Sequence, residues 1–224
     1  MSFYATVGDQ RITSGSLLMP YYGSWAADFD VPTPEAITGA VQVTIGGLTL
    51  QGSTYRSAAF AGARSARLVG GTGGWRHQLT GRAYGPGVTA SMVLRDAAAE
   101  LGETVNVVVD TPLGTNYVRP AVSGGALLRM LAGQLWYIDQ AGVTQVVARR
   151  PSAVVSSAFT VIDRAGDEGM LDIATESPEE WMPGNTFSGP TVTVPQTISS
   201  TVFILDNDGT MRLRVLTVGA VDET

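Results

Sequence analysis

The sequence predicts a mainly β protein with two short helices, an α+β arrangement of an N-terminal β-barrel or meander domain, a small helical unit, and a small C-terminal β-barrel or sandwich. Three observations carry this reading. Val, Thr and Ile supply 57 of the 224 residues, and such β-branched side chains suit a pleated, half-buried surface better than a helix. Gly and Pro, 27 and 11 residues, cut the chain into short runs. Only two segments exchange period-two alternation for helical spacing.

Residues 1–88 read as an N-terminal β-meander or barrel domain. Between Phe3 and Tyr84, the stretches Val41-Gln42-Val43-Thr44-Ile45 and Leu48-Thr49-Leu50-Gln51 alternate on either side of Gly46-Gly47, a hairpin signal. Ala63 to Val69 and Trp75 to Tyr84 flank Gly70-Gly71-Thr72-Gly73-Gly74, which predicts a second hairpin with a long flexible tip.

Residues 89–150 predict an α+β unit in the order helix, strand, helix, hairpin. Ala90, Val93, Leu94, Ala97, Ala98 and Leu101 line one helical face, with Thr89 as N-cap and Gly102 as terminator. This face is expected to pack on a sheet, with Arg95, Asp96 and Glu100 pointing away. After the Val-rich strand Thr104 to Asp110, Ser123 caps a second helix whose face is Ala126, Leu127, Met130 and Leu131. Trp136-Tyr137-Ile138 pairs with Val143 to Val147 across Asp139-Gln140-Ala141-Gly142. Arg149-Arg150-Pro151-Ser152 marks the boundary to residues 151–224, a small β-barrel or sandwich. Its strands, Phe159 to Ile162, Leu171 to Ile173, Thr191 to Val194, Ser199 to Leu205 and Met211 to Thr217, recur about every ten residues. Turns fall at Pro183-Gly184 and at Asp206-Asn207-Asp208-Gly209.

Composition narrows the function. All 14 basic residues are Arg, against 20 acidic ones, and a net charge of −6 without a basic stripe argues against a primary nucleic-acid binder. Charged residues make up only 15%, so neighbouring chains can cover the surface at small desolvation cost. The absence of Cys removes disulfides, thiolate nucleophiles and Cys-based zinc sites. Met1 to Pro20 lacks the basic start and apolar run of a signal peptide, and no stretch reaches the roughly 18 apolar residues of a membrane span. Cytoplasmic synthesis and no stable membrane association are therefore expected.

Each candidate for chemistry has a simpler structural reading. Asp206-Asn207-Asp208-Gly209 has carboxylates at alternate positions but lacks the later Glu of a calcium loop, so it reads as a turn. His77 is the single histidine, which excludes a multi-histidine metal centre and leaves one possible general base in an alternating strand. Asp163, Asp167, Glu168, Asp172, Glu176, Glu179 and Glu180 could contain a glycosidase pair, yet they lie among Gly and Pro and read as a solvated loop face. Gly70 to Gly74 lacks the Lys-Ser/Thr and the helix of a phosphate loop. Trp25, Trp75, Trp136 and Trp181 are too dispersed for a stacking platform. No catalytic, cofactor-binding or metal-ligating residue is therefore assigned, no cofactor is expected, and the chain is read as a non-enzyme.

Gly87-Val88-Thr89 leading through Ser91-Met92-Val93-Leu94-Arg95-Asp96 to Glu100-Leu101-Gly102 resembles the helix that follows a β domain in phage tail baseplate and tail-tip hub proteins. Gly125-Ala126-Leu127-Leu128 with Trp136-Tyr137-Ile138-Asp139 and Gly142 is similar to the second hub helix and its trailing hairpin. Met182-Pro183-Gly184-Asn185-Thr186-Phe187, Ile198 to Leu205 and Asp208-Gly209-Thr210-Met211-Arg212 resemble the Pro-Gly turn and late strands of the hub's terminal barrel. The resemblance spans about residues 40 to 217. It implies a structural virion protein assembled in the host cytoplasm: a homotrimer at the tail tip or baseplate that joins the tail tube to the central tip. Its implied partners are the tail tube or distal tail protein, a tip spike or fibre protein and the tape measure protein, with DNA passing at most through the lumen. The chain is short for a hub. The alternative is a receptor- or carbohydrate-binding β module of a tail tip, which would use exposed aromatics on a concave surface; a cell-wall hydrolase ranks third.

Overall fold

The computed structural model describes residues 4–60, 62–165, 169–207 and 210–218. Seven strands open the chain: β1 (Ala5–Val7), β2 (Gln10–Arg11), β3 (Ser14–Pro20), β4 (Ala26–Val31), β5 (Ala40–Ile45), β6 (Leu48–Phe60) and β7 (Ala63–Gly70). A small unit follows, with β8 (Arg82–Tyr84), α1 (Ala90–Leu101), β9 (Val105–Val107), β10 (Tyr117–Arg119), α2 (Gly124–Ala132), β11 (Trp136–Ile138) and β12 (Thr144–Val146). Five strands complete it: β13 (Phe159–Ala165), β14 (Met170–Thr175), β15 (Thr186–Gly189), β16 (Val192–Leu205) and β17 (Met211–Val218). The protein is mainly β with two helices, as expected.

Alternation sorts the strands. In β4, Ala27, Phe29 and Val31 are buried while Asp28 and Asp30 face solvent; in β17, the buried Leu213 and Val215 alternate with Arg212, Arg214 and Leu216, which are not. At Gly46-Gly47 the chain reverses in two residues, Ile45 facing Leu48, and Gly46 takes φ +56°, which glycine adopts without steric cost.

Strands from both ends of the chain share one antiparallel sheet. Its order is β13-β14-β17-β16-β3-β4-β7-β6-β5-β1-β2, with β15 paired to the start of β16. The join is β3 against β16, Gly15 to Pro20 opposite Leu205 to Ser200. Strands β1–β7 and the residues after 151 therefore bury one common core, which includes Trp25, Phe29 and Leu68 together with Trp181, Phe203 and Leu213. The ladder is open, so the expected small C-terminal barrel does not close among the described residues. The reason is β16, whose 14 residues commit their far half to β3.

The small unit has its own core. Val93, Leu94, Ala97 and Ala98 of α1 pack with Leu127 and Leu128 of α2 and with Val107, Ile138 and Val146 of the sheet β11-β12-β9. The Thr89 hydroxyl accepts from the Met92 amide, and Gly102 ends α1 at φ +68°. In α2 the buried pair is Leu127 and Leu128, whereas Met130, expected on the buried face, is exposed. The hairpin expected across Gly70 to Gly74 is absent, because β7 already pairs with β6 and β4. The chain instead turns through a short 3₁₀ segment, Gly74–Arg76, and pairs β8 with β10.

Candidate functional site

Three polar joints and one open sheet face are the features with functional potential. The first joint is built on Glu103, two residues past the end of α1 and only 7% exposed. Its Oε1 accepts from the Gly74 amide (2.6 Å) and at longer range from Trp75 (3.4 Å), while Oε2 accepts from Thr72 (3.2 Å). The Gly-rich loop thus forms an anion-binding nest of backbone N–H groups, and its anion is a carboxylate of the same chain. Beside it Gly71 donates to the Gln51 carbonyl and Gln51 to that of Gln140, which ties the small unit to β6.

The second joint centres on Arg119, which is fully buried. It pairs with Asp96 (3.0 Å) and Glu100 and donates to the Thr80 carbonyl, so two α1 carboxylates expected to point away instead grip the β8–β10 ribbon. Hydrogen bonds from Thr80 hold the Glu100 carboxyl below the usual range, with Arg119 adding to the effect. Burial, and donation of its hydroxyl to Asp96, push the Tyr84 phenol up to about 12.

The third joint is Arg150, within the stretch expected to be a boundary. Its Nη1 donates to the Pro20 and Tyr21 carbonyls (2.9 and 3.0 Å), and its guanidinium carbon lies 4.0 Å from the centroid of the Tyr137 ring. Nearby, Gly23 donates to the Trp136 carbonyl (2.7 Å) and accepts from the Ile138 amide (3.1 Å).

On the outward face of the large sheet, one row of register partners crosses seven strands: Asp163, Asp172, Arg214, Val202, Leu18, Ala26 and Val69. Its middle is apolar, and Leu18 is 43% exposed. Its charged end is compensated, since Arg214 grips Asp172 through two hydrogen bonds (2.8 and 3.0 Å) and holds that carboxyl below the usual range.

Of the sequence candidates, the structure brings together Asp163 and Asp172, opposite each other on β13 and β14, with Arg214 beside them. Glu180 lies elsewhere and accepts from the Ser156 and Ser157 amides, while Glu179 lies against Gly47. Asp167, Glu168, Asp208 and Gly209 lie outside the described residues. His77 is exposed beside the 3₁₀ segment and not in a strand. Among the described residues no three of His, Cys, Asp and Glu gather as a metal site requires, and no helix is long and apolar enough to cross a membrane. Trp25 and Trp181 belong to the large core and Trp75 to the small one, where its indole donates to Thr144 (2.8 Å). Glu103, Arg119 and Arg150 carried no spacing signature; the one available signal was a charged residue beside a cap or a proline.

No protein-family profile matches the chain, and no curated protein matches it in sequence. Solved structures do match, over nearly the whole length. A tail protein from Neisseria meningitidis MC58 superposes with a TM-score of 0.68 at 11% identity, covering 99% of this chain and 98% of that one. The chain has the fold of phage tail proteins. The 43 kDa tail protein of prophage MuSo2 from Shewanella oneidensis gives a TM-score of 0.62 at 12% identity, covering 97% and 98%. The Escherichia coli c3393 protein, a type VI secretion component described as structurally similar to T4 tail proteins gp27 and gp5, gives 0.66 at 9% identity, covering 96% and 75%.

Proposed function

We propose that this chain is a non-enzymatic structural subunit of a phage tail, a baseplate or tail-tip hub component that forms a homotrimer and joins the tail tube to the central tip. The observation that carries the reading is the end-to-end likeness to tail proteins, which spans both chain ends and the small unit together. The likeness to a type VI secretion component described as structurally similar to T4 tail proteins gp27 and gp5 supports the same tail role.

The surface supports the same role. Among the described residues the sheet ends in β13 on one side and β2 on the other, and such unpaired edges suit heterologous contacts between identical copies. The row through Val202, Leu18 and Ala26 offers a broad face with little charge to desolvate. In this reading the N-terminal and C-terminal strands act as one body and residues 89–150 as its appended unit. Solution mass measurement together with cryo-electron microscopy of the source particle tests it. Three copies in contact at the tail tip are expected; a solitary copy touching no identical chain overturns the reading.

A further inference from the structure

Arg150 is only 7% exposed, yet among the described residues no carboxylate pairs with it. Its Nη1 is committed to the Pro20 and Tyr21 carbonyls, while Nε and Nη2 have no acceptor among the described residues. Asp139 lines the same cavity as Arg150, but both its oxygens are held by its own hairpin, Oδ1 accepting from the Val143 amide (2.9 Å) and Oδ2 from the Gln145 side chain (2.7 Å). Burial disfavours the charged guanidinium and lowers its pKa, a cost that Tyr137, Tyr21 and Asp139 offset only in part.

Arg150 lines an open cavity of about 390 Å³ where the sheet, the small unit and the linker meet. Tyr137, Pro151, Met182 and Pro183 supply apolar walls. Asn185, also on the cavity, is spoken for by the Ala153 amide and the Glu180 carbonyl. Nε and Nη2 are the side-on donor pair of a guanidinium, whose spacing matches the two oxygens of a carboxylate. We propose that this cavity is a docking socket for one carboxylate, an Asp or Glu side chain carried by a protein packed against the junction. A carboxylate satisfies both idle donors and neutralises the buried charge, and its methylene stem lies along Met182 and Pro183. A neutral amide offers one oxygen and no charge, so it fits poorly.

The test is titration of the full-length chain with N-acetyl-glutamyl-amide, following the Arg150 Nε–Hε resonance by NMR. We expect a saturable shift in the millimolar range, and at least about tenfold weaker binding of the N-acetyl-glutaminyl-amide control, the difference that one charge-assisted pair supplies. Arg150→Lys removes the fork, and its titration, followed on the Tyr137 and Ile138 amides, should show the shift lost. Because that variant also alters a structural joint, Met182→Glu gives a second reading: a carboxylate placed at the cavity wall should fill the socket in cis, block the probe and leave the fold intact. Absence of saturation, equal binding of the glutaminyl control, or binding that survives Met182→Glu overturns the proposal. The readout is a property of the isolated chain, so its failure leaves the proposed trimer untouched, and a solitary copy in the particle leaves the socket standing.

Discussion

Glu103→Gln is the sharpest probe of how the small unit is fixed to the sheet. The substitution preserves shape, so no cavity opens, and the change is confined to charge and to one oxygen. The Gln carbonyl can replace Oε1 toward Gly74 and Trp75, but its NH₂ group then faces the Thr72 N–H, donor against donor. Reducing the 2.6 Å bond to Gly74 from a charge-assisted to a neutral one loses about 1–1.5 kcal/mol, and leaving the Thr72 donor unpaired costs about 1–2 more. The sum, roughly 2–4 kcal/mol, corresponds to a Tm lower by roughly 5–15 °C for a chain of this length. Urea denaturation with an unchanged slope, combined with hydrogen exchange at Thr72 and Gly74, measures it. A loss under about 0.5 kcal/mol, with both amides as protected as before, would refute the account of the nest, because the bonds would then contribute nothing beyond hydration.

Arg119→Met should destabilise by about 3 kcal/mol, the low end for breaking a buried ion pair, because Asp96 and Glu100 keep 25% and 29% side-chain exposure; equilibrium denaturation checks it. Leu94→Asp places an unpaired charge in the small core and should cost several kcal/mol, with unchanged thermal stability contradicting the packing of α1. Asp172 has a folded pKa depressed by Arg214, so its contribution is complete above the unfolded carboxylate pKa and is lost as pH falls through the folded value. The deficit of Asp172→Asn should therefore be present at pH 7 and shrink below about pH 4, and a denaturation series across pH that shows a constant deficit would contradict the pairing.

Local signals were legible in the sequence and long-range ones were not. The boundaries of α1 follow from Thr89, Gly102 and an apolar stripe within twelve residues, and the Gly46-Gly47 hairpin from two glycines between alternating runs. The pairing of β3 with β16 joins segments with no shared local code, so the ends of the chain looked like separate domains and β16 like a candidate for barrel closure. Gly70 to Gly74 announced a turn, but turn chemistry does not say which strand waits on the far side; β6 and β4 had already satisfied β7. Asp96 and Glu100 looked solvent-bound because their partner, Arg119, arrives from another element. The Met130 misassignment has a simpler cause, since an amphipathic stripe on a nine-residue helix tolerates a rotation that exchanges Leu128 for Met130.

The two cores remain separate, and what lies between them is mostly directional. Apolar contact alone is non-directional and would let the small unit settle in several orientations on the sheet. Glu103 requires three amides to converge, Arg150 requires two carbonyls from the β3 exit, and the Gly23 bridge fixes β11 in register with that exit. Close approach at the same seam depends on missing side chains: a Cβ on Gly70 would lie 3.0 Å from the Ile138 side chain, and one on Gly142 would lie 3.2 Å from the Gln51 carbonyl oxygen. Such a seam tolerates little displacement, because sliding the unit breaks hydrogen bonds whose buried groups have no water to turn to. In the proposed tail subunit, where sheet edges and the appended unit would meet neighbours at fixed angles, orientation between the parts would matter more than added stability. Apolar replacements along this seam should therefore preserve the fold while loosening the angle between the small unit and the sheet.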